Sequence, residues 1–151
     1  MKMLKIIKMI GFSELNINEI VQLLNNDYTV VVIIDTNNSF MINECTPYLN
    51  KNQIEIMFKY KKENDRINYA ATKAIVNMLF SKIEKLKYQE IRWQCGKYNK
   101  PYIENNHMHF NISHSENLWI CAIWRRDVGI DVQVKKKIDF MKFASRYFTR
   151  N

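Results

Sequence analysis

The run from His109 to Gln133 constrains the fold most, because its residues alternate in a way that only extended backbone can use. Phe110 and Ile112 alternate with Asn111 and Ser113, so one face of a strand can enter a core while the other carries polar groups toward a ligand. Ser113 and His114 then fall at the strand's end. Leu118 to Trp124 is a largely apolar run, Arg125 to Asp127 a polar break of hairpin length, and Val128 to Gln133 a second alternating run. The pattern predicts three strands, with the last two joined as an antiparallel hairpin. In the final strand Ile130 and Val132 share one face, which sets Asp131 and Gln133 side by side on the other. An acid two residues from an amide, on the polar face of an apolar strand, is a place for a hard cation.

Asn64 to Lys87 carries the clearest helical pattern. Ile67, Ala70, Ala71, Ala74, Ile75, Met78, Leu79, Ile83 and Leu86 recur at steps of three and four, which predicts a long helix with a wide apolar stripe, capped at its start by Asn64 or Asp65. Upstream, Leu4 to Ile10 reads as a strand, Ile17 to Leu24 as a short helix capped by Asn16, and Val30 to Asp35 as a buried β-branched strand. Asn37 and Asn38 mark a turn. Asn43 to Leu49 and Gln53 to Lys59 are short helical pieces separated near Asn50, and Glu90 to Gln94 reads as a strand with Ile91 and Trp93 inward. After Gln133 come Lys135, Lys136 and Lys137, then a helix capped by Asp139 with Phe140, Phe143, Ala144, Tyr147 and Phe148 on one side. The expected fold class is α/β (α+β): an antiparallel sheet with the Asn64 helix packed across it.

The net charge of +8 is unevenly placed. Residues 1–58 hold 4 Lys or Arg against 6 Asp or Glu, whereas residues 59–151 hold 19 against 9. The motif-bearing part is therefore the basic part, and such a field attracts phosphorylated ligands and acidic proteins, and equally nucleic acid. Cys45, Cys95 and Cys121 are spaced like neither a zinc site nor a disulfide framework, which fits a reducing cytoplasm. Lys5 and Lys8 interrupt any signal-peptide core, and no run is long enough to span a bilayer, so a soluble, unexported protein with no membrane partner is expected.

Phe-Asn-Ile-Ser-His-Ser (110–115) followed by Val-Gly-Ile-Asp-Val (128–132) resembles the paired signatures of the 4'-phosphopantetheinyl transferases. The likeness is to the larger pseudodimeric class, which activates peptide synthetases such as surfactin synthetase. It runs from about Asn43 to the last residue. The resemblance implies one half of that pseudodimeric fold, with residues 1–28 as an N-terminal segment outside it, residues 29–134 as the first transferase repeat, and residues 135–151 as a linker and the first helix of a truncated second repeat. It implies transfer of the phosphopantetheine arm of coenzyme A to a serine of an acyl or peptidyl carrier protein, with Mg²⁺ as cofactor and coenzyme A as co-substrate.

Carried over position by position, the resemblance implies these roles. Arg66, at the start of the long helix, helps bind coenzyme A. Asn99-Lys100-Pro101 stands where the family has Gly-Lys-Pro; asparagine tolerates a left-handed backbone, so the turn can survive and Lys100 and Pro101 keep their role. Ser113 and His114, following Asn111 on the polar face, match the residues that contact coenzyme A phosphate, and a protonated His114 would help Arg66 and Lys100 neutralise it. Asp131 is the metal ligand. Gln133, where many members have glutamate, brings no charge and holds the metal weakly or through water. The family's Trp-x-x-Lys-Glu motif, whose glutamate completes the metal site and serves as base, does not occur in these 151 residues. Half a pseudodimer exposes apolar surface, so self-association is expected. Two other classes stay open: a non-catalytic remnant that binds coenzyme A or a carrier protein, and a basic nucleic-acid-binding domain, for which no recognised motif is present.

Overall fold

The computed structural model describes residues 3–9, 12–37, 41–133 and 135. Strand β1 (Met3–Met9) leads through helix α1 (Ile17–Asn25) to β2 (Tyr28–Asp35). Asn16 caps α1 as expected, its side chain accepting from the Glu19 N–H at 3.1 Å. Helix α2 (Met41–Cys45) and a single turn, Thr46–Tyr48, precede α3 (Lys51–Lys59), which Asn50 and Gln53 open with a reciprocal capping box. Helix α4 (Glu63–Glu84) follows; then come β3 (Trp93–Cys95), β4 (Pro101–Ile103), β5 (His109–Ser115) and β6 (Leu118–Trp124).

The main sheet has the order β1-β2-β6-β5. Both β2–β6 and β5–β6 are antiparallel, so the expected antiparallel sheet is present; β1 adds to its edge in parallel, because α1 returns the chain to the same end. Two expectations fail: that residues 128–133 pair with the apolar strand before them, and that residues 91–94 belong to the main sheet. Val128–Gln133 does not pair with β6, since β2 and β5 already fill both of that strand's hydrogen-bonding edges. The hairpin is instead β5–β6, turning at Glu116 and Asn117. The run near Ile91 does not join the main sheet either: Trp93–Cys95 pairs only with Pro101–Ile103, as a separate two-stranded ribbon. The helix expected from Asp139, together with Asn38, Lys136 and Lys137, lies outside the described residues.

Helix α4 needs no proline or glycine, and Ala70, Ala71 and Ala74 favour it intrinsically. It begins one residue before Asn64, and its N-cap, Lys62, offers no side-chain bond. Neither Asn64 nor Asp65 therefore caps it; Asn64 donates from Nδ2 to the Glu116 carbonyl at 3.1 Å, tying the helix start to the β5–β6 turn. Its end comes at Lys85, which takes a left-handed φ of 54°, so Leu86 falls outside the helix and stays exposed. The apolar stripe is buried as expected from Ile67 to Leu79 except at Met78, which is half-buried, and Val76 and Phe80 widen it. It meets Val30, Val32 and Ile34 of β2, Trp119, Cys121 and Ile123 of β6 and Phe110 of β5 in one core.

Candidate functional site

The β5 strand carries the site, and alternation decides which groups meet. Phe110 points to the α4 side, where its ring meets Phe80 and Trp93 edge-on at 5.7 Å each. Ile112 and His114 share that face, while Asn111 and Ser113 lie on the other. His114 therefore does not follow Asn111 on the polar face: the sequence period of two assigns it to the helix side. On the other face the residues after Gly129 run beside β5 without forming a ladder. Ile130 N–H donates to Asn111 Oδ1 at 2.8 Å, and Val132 N–H to Ser113 Oγ at 3.1 Å. Ser113 Oγ in turn donates to Asp131 Oδ1 at 3.0 Å, joining the two signature segments. Ile130 and Val132 are half-buried, and Asp131 and Gln133 exposed, so the expected alternation holds although the strand does not.

Where α4, β3, β4 and the end of β5 converge, a cavity of about 290 Å³ opens. Pro101 and His114 line it from the sheets. Asp65, Asn68, Tyr69, Thr72 and Lys73 line it from α4, spaced so that they form one face of the helix, and Trp93 and Tyr60 complete it. Thr72 Oγ1 accepts from Trp119 Nε1 at 2.9 Å, and the Tyr60 and Tyr69 rings lie 5.5 Å apart. Burial, with Tyr60 beside it, raises the Tyr69 phenol to about 12, so it stays a neutral donor. Lys73 Nζ sits 3.6 Å from the Trp93 ring centroid and 5.5 Å from that of Tyr69. Burial lowers its pKa, against an opposing contribution from Cys95. Trp93 is itself fixed: its Nε1 donates to Asn77 Oδ1 at 2.8 Å, and Asn77 Nδ2 donates to Gln53 Oε1 and the Tyr48 carbonyl, each at 2.8 Å.

The two other expected cations are engaged elsewhere. Arg66 Nε donates to the Tyr60 carbonyl at 2.6 Å, bridging the end of α3 to the start of α4. Lys100 Nζ contacts Asp127 Oδ1 at 2.6 Å and the Val128 carbonyl at 3.0 Å. This pair holds the Asp127 carboxyl below its ordinary range. Asn99 does take a left-handed backbone, with φ of 58°. Lys100 borders a second hollow, of about 460 Å³, with Pro101 on the wall common to both. Among the described residues no group of three or more His, Cys, Asp or Glu side chains is arranged to hold a metal. No helix among them is long and apolar enough to cross a membrane. Sequence reasoning missed Asn68 and Lys73; the signal was the 65-68-69-72-73 spacing, a second helix face beside the apolar stripe.

No family model matches the chain. It is similar to the 4'-phosphopantetheinyl transferase gsp of Aneurinibacillus migulanus, at 25% identity over 111 residues, covering 74% of this chain and 46% of that protein. It is also similar to the 4'-phosphopantetheinyl transferase Sfp of Bacillus subtilis (strain 168), at 35% over 77 residues, covering 50% and 34%. A further Bacillus subtilis 4'-phosphopantetheinyl transferase matches at 43% over 60 residues, covering 39% and 26%. The chain thus spans less than half the length of these curated relatives. The superfamily resemblance seen in the two signatures is supported by these matches, and an α/β unit with an antiparallel-rich sheet and a long helix is consistent with half of that fold.

Proposed function

We propose that this chain, a relative of the 4'-phosphopantetheinyl transferase superfamily, provides the coenzyme A side of such a transferase, for an acyl or peptidyl carrier protein. The reaction moves the phosphopantetheine arm to a carrier serine and releases adenosine 3',5'-bisphosphate. The observation that carries the reading is the Ser113–Asp131 hydrogen bond, which brings the two signatures together at one place. On the other face of β5, the cavity lined by Pro101 and His114 has room and polarity for part of a nucleotide. Asp131 has its second carboxylate oxygen for Mg²⁺, with the Gln133 amide two residues on; one or two carboxylates plus substrate phosphates is an ordinary magnesium donor set. When bound, the ion supplies charge neutralisation on the pyrophosphate. This chain's own residues bind and orient: His114 and Pro101 at the cavity, Ser113 holding the Asp131 carboxylate, and Arg66 and Lys100 as cations near the helix start and the second hollow. The charge of the basic part supports coenzyme A and an acidic carrier as partners, three free thiols support a cytoplasmic setting, and exposed Leu4 and Ile6 support self-association.

No Trp-x-x-Lys-Glu sequence occurs in these 151 residues, so nothing here is assigned as the base that deprotonates the carrier serine. A second reading follows from the same observation: a chain that binds coenzyme A without transferring its arm. A mass-shift assay on a carrier protein separates the two. The 151-residue polypeptide alone is expected to transfer very slowly or not at all, and addition of a segment bearing Trp-x-x-Lys-Glu to restore a turnover that Asp131→Asn abolishes. Ordinary turnover by the lone polypeptide would overturn this account of the site; no restoration favours the binding-only reading.

A further inference from the structure

The α4 cavity contains two groups that its own walls do not satisfy. Asn68 is 4% exposed, yet neither its Oδ1 nor its Nδ2 has a hydrogen-bond partner. A buried amide left unpaired costs about 1–3 kcal/mol, so a ligand that pairs with it gains what the free protein lacks. Lys73 is the second such group. Among the described residues the ion pairs are Arg92–Glu104 and Lys100–Asp127, and Lys73 takes part in neither. Its ammonium rests on the Trp93 ring, which Asn77 holds in place. Cation–π contact keeps the charge in position but does not neutralise it. Asn68 and Lys73 also stand on one face of α4 with His114 across the cavity, so an ammonium, an amide donor and an imidazole converge on one space. Asp65 is the carboxylate on that wall, at the solvent end of the helix face.

We propose that Lys73 and Asn68 form a phosphoryl-binding subsite in this cavity, with Lys73 supplying the cation and the Asn68 amide donating the second bond. The coenzyme A reading above is needed only to say where the phosphoryl group comes from: the 3'-phosphate of the ribose or the pyrophosphate. Arg66 and Lys100 do not line the cavity, the first being held by a backbone carbonyl and the second by Asp127, which leaves Lys73 as the lysine or arginine on its walls. The subsite also assigns a purpose to the Asn77 network, which otherwise spends three hydrogen bonds on orienting one tryptophan and its neighbours.

The experiment titrates the 151-residue chain with coenzyme A, dephospho-coenzyme A and inorganic pyrophosphate by calorimetry, in the wild type, Lys73→Met, Lys73→Arg and Asn68→Ala. Lys73→Met is expected to weaken coenzyme A binding by about ten-fold or more and Lys73→Arg to retain most of the affinity. Asn68→Ala should lose about three-fold or more. A loss confined to coenzyme A, sparing dephospho-coenzyme A, identifies the 3'-phosphate; equal losses for both identify the pyrophosphate. Wild-type affinity in Lys73→Met overturns the subsite while leaving the coenzyme A reading intact. Failure of the wild type to bind coenzyme A overturns that reading instead, and the subsite is then decided by the lysine ¹³Cε resonance of the wild type. Pyrophosphate should move the Lys73 titration to higher pH, and an unmoved titration overturns the proposal. That measurement also stands if Lys73→Met does not fold.

Discussion

The two faces of the main sheet are built differently. Toward α4, Val30, Val32 and Ile34 of β2 and Trp119, Cys121 and Ile123 of β6 are all buried and belong to one core with the helix stripe. On the opposite face, the register groups Leu4 and Ile6 of β1 with Val31 and Ile33 of β2, then Ile120 and Ala122 of β6 and Asn111 and Ser113 of β5. There Leu4 and Ile6 are 60% and 55% exposed, whereas Ile120 and Ala122, close to the 128–133 segment, are nearly closed off. The helix side thus fixes the shape, and the other side carries the Ser113–Asp131 contact on a surface that is finished only at one end. The candidate site straddles the sheet: its cavity opens on the stable side, and its carboxylate lies on the less covered one.

Substitutions on the two faces should separate by their effect on stability, and this is the largest contrast. Phe80→Ala removes a fully buried ring that meets Phe110, and is expected to cost about 3–5 kcal/mol in urea denaturation. Leu4→Ser, on the exposed end of the other face, should stay within about 0.5 kcal/mol. Comparable losses at the two positions would break the distinction. Next comes Asn77, fully buried at the edge of the helix-side core with three hydrogen bonds. Asn77→Leu removes the donor to Gln53 Oε1 and to the Tyr48 carbonyl and the acceptor of the Trp93 N–H, so about 1–3 kcal/mol of stability should go, together with a change in tryptophan emission. A neutral result would mean that Trp93 is positioned by packing alone.

Most of the helix-side face was legible in the sequence because its signals are local. The three-and-four spacing of α4 and the alternation through Phe110 and Ile112 each report one element's own period, and Asn16 acts within three residues of itself. What was illegible depends on counting neighbours. Val128–Gln133 alternates like a strand, but whether it becomes one depends on a free edge, and β2 and β5 leave β6 none. The short ribbon of β3 and β4 was illegible too: Ile91 and Trp93 do turn inward, yet toward α4 and β5 rather than into the sheet. Within the site, Ser113 and Asp131 were each legible as candidates because each lies in a recognisable signature, but the hydrogen bond that joins them was not. Nor was Asn68, because the 65-68-69-72-73 spacing marks a second helix face but gives no sign that an amide on it ends unpaired.

The second hollow yields the smaller effects. Lys100 already spends its ammonium on Asp127 and Val128, and its side chain is 37% exposed, so Lys100→Met should weaken coenzyme A binding by about 1 kcal/mol or less in calorimetry. A ten-fold loss there, with Lys73→Met neutral, would move the phosphoryl contacts from the cavity to the second hollow.

The smallest expected effect is a titration, and it tests whether Lys100 organises the approach to Asp131. The hydrogen bond and charge of Lys100 depress the Asp127 pKa, helped by the Val128 N–H, which donates to the same carboxylate at 3.1 Å. A depressed carboxylate stabilises the fold above its unfolded pKa, and that contribution is lost as pH falls through the lower, folded value. Asp127 is fully exposed, so the gain is small and screened by salt. By ¹³C-carboxyl NMR its midpoint should lie below the ordinary aspartate range, rising toward that range in Lys100→Met and in high salt. The Asp131 resonance is the sharper readout. Val128 and Gly129 are the first residues after Asp127, and the chain then hydrogen-bonds to Asn111 and Ser113. If the Lys100 clamp sets that path, releasing it should also shift the Asp131 carboxyl signal; an unchanged Asp131 would show that Asn111 and Ser113 alone hold the carboxylate in place.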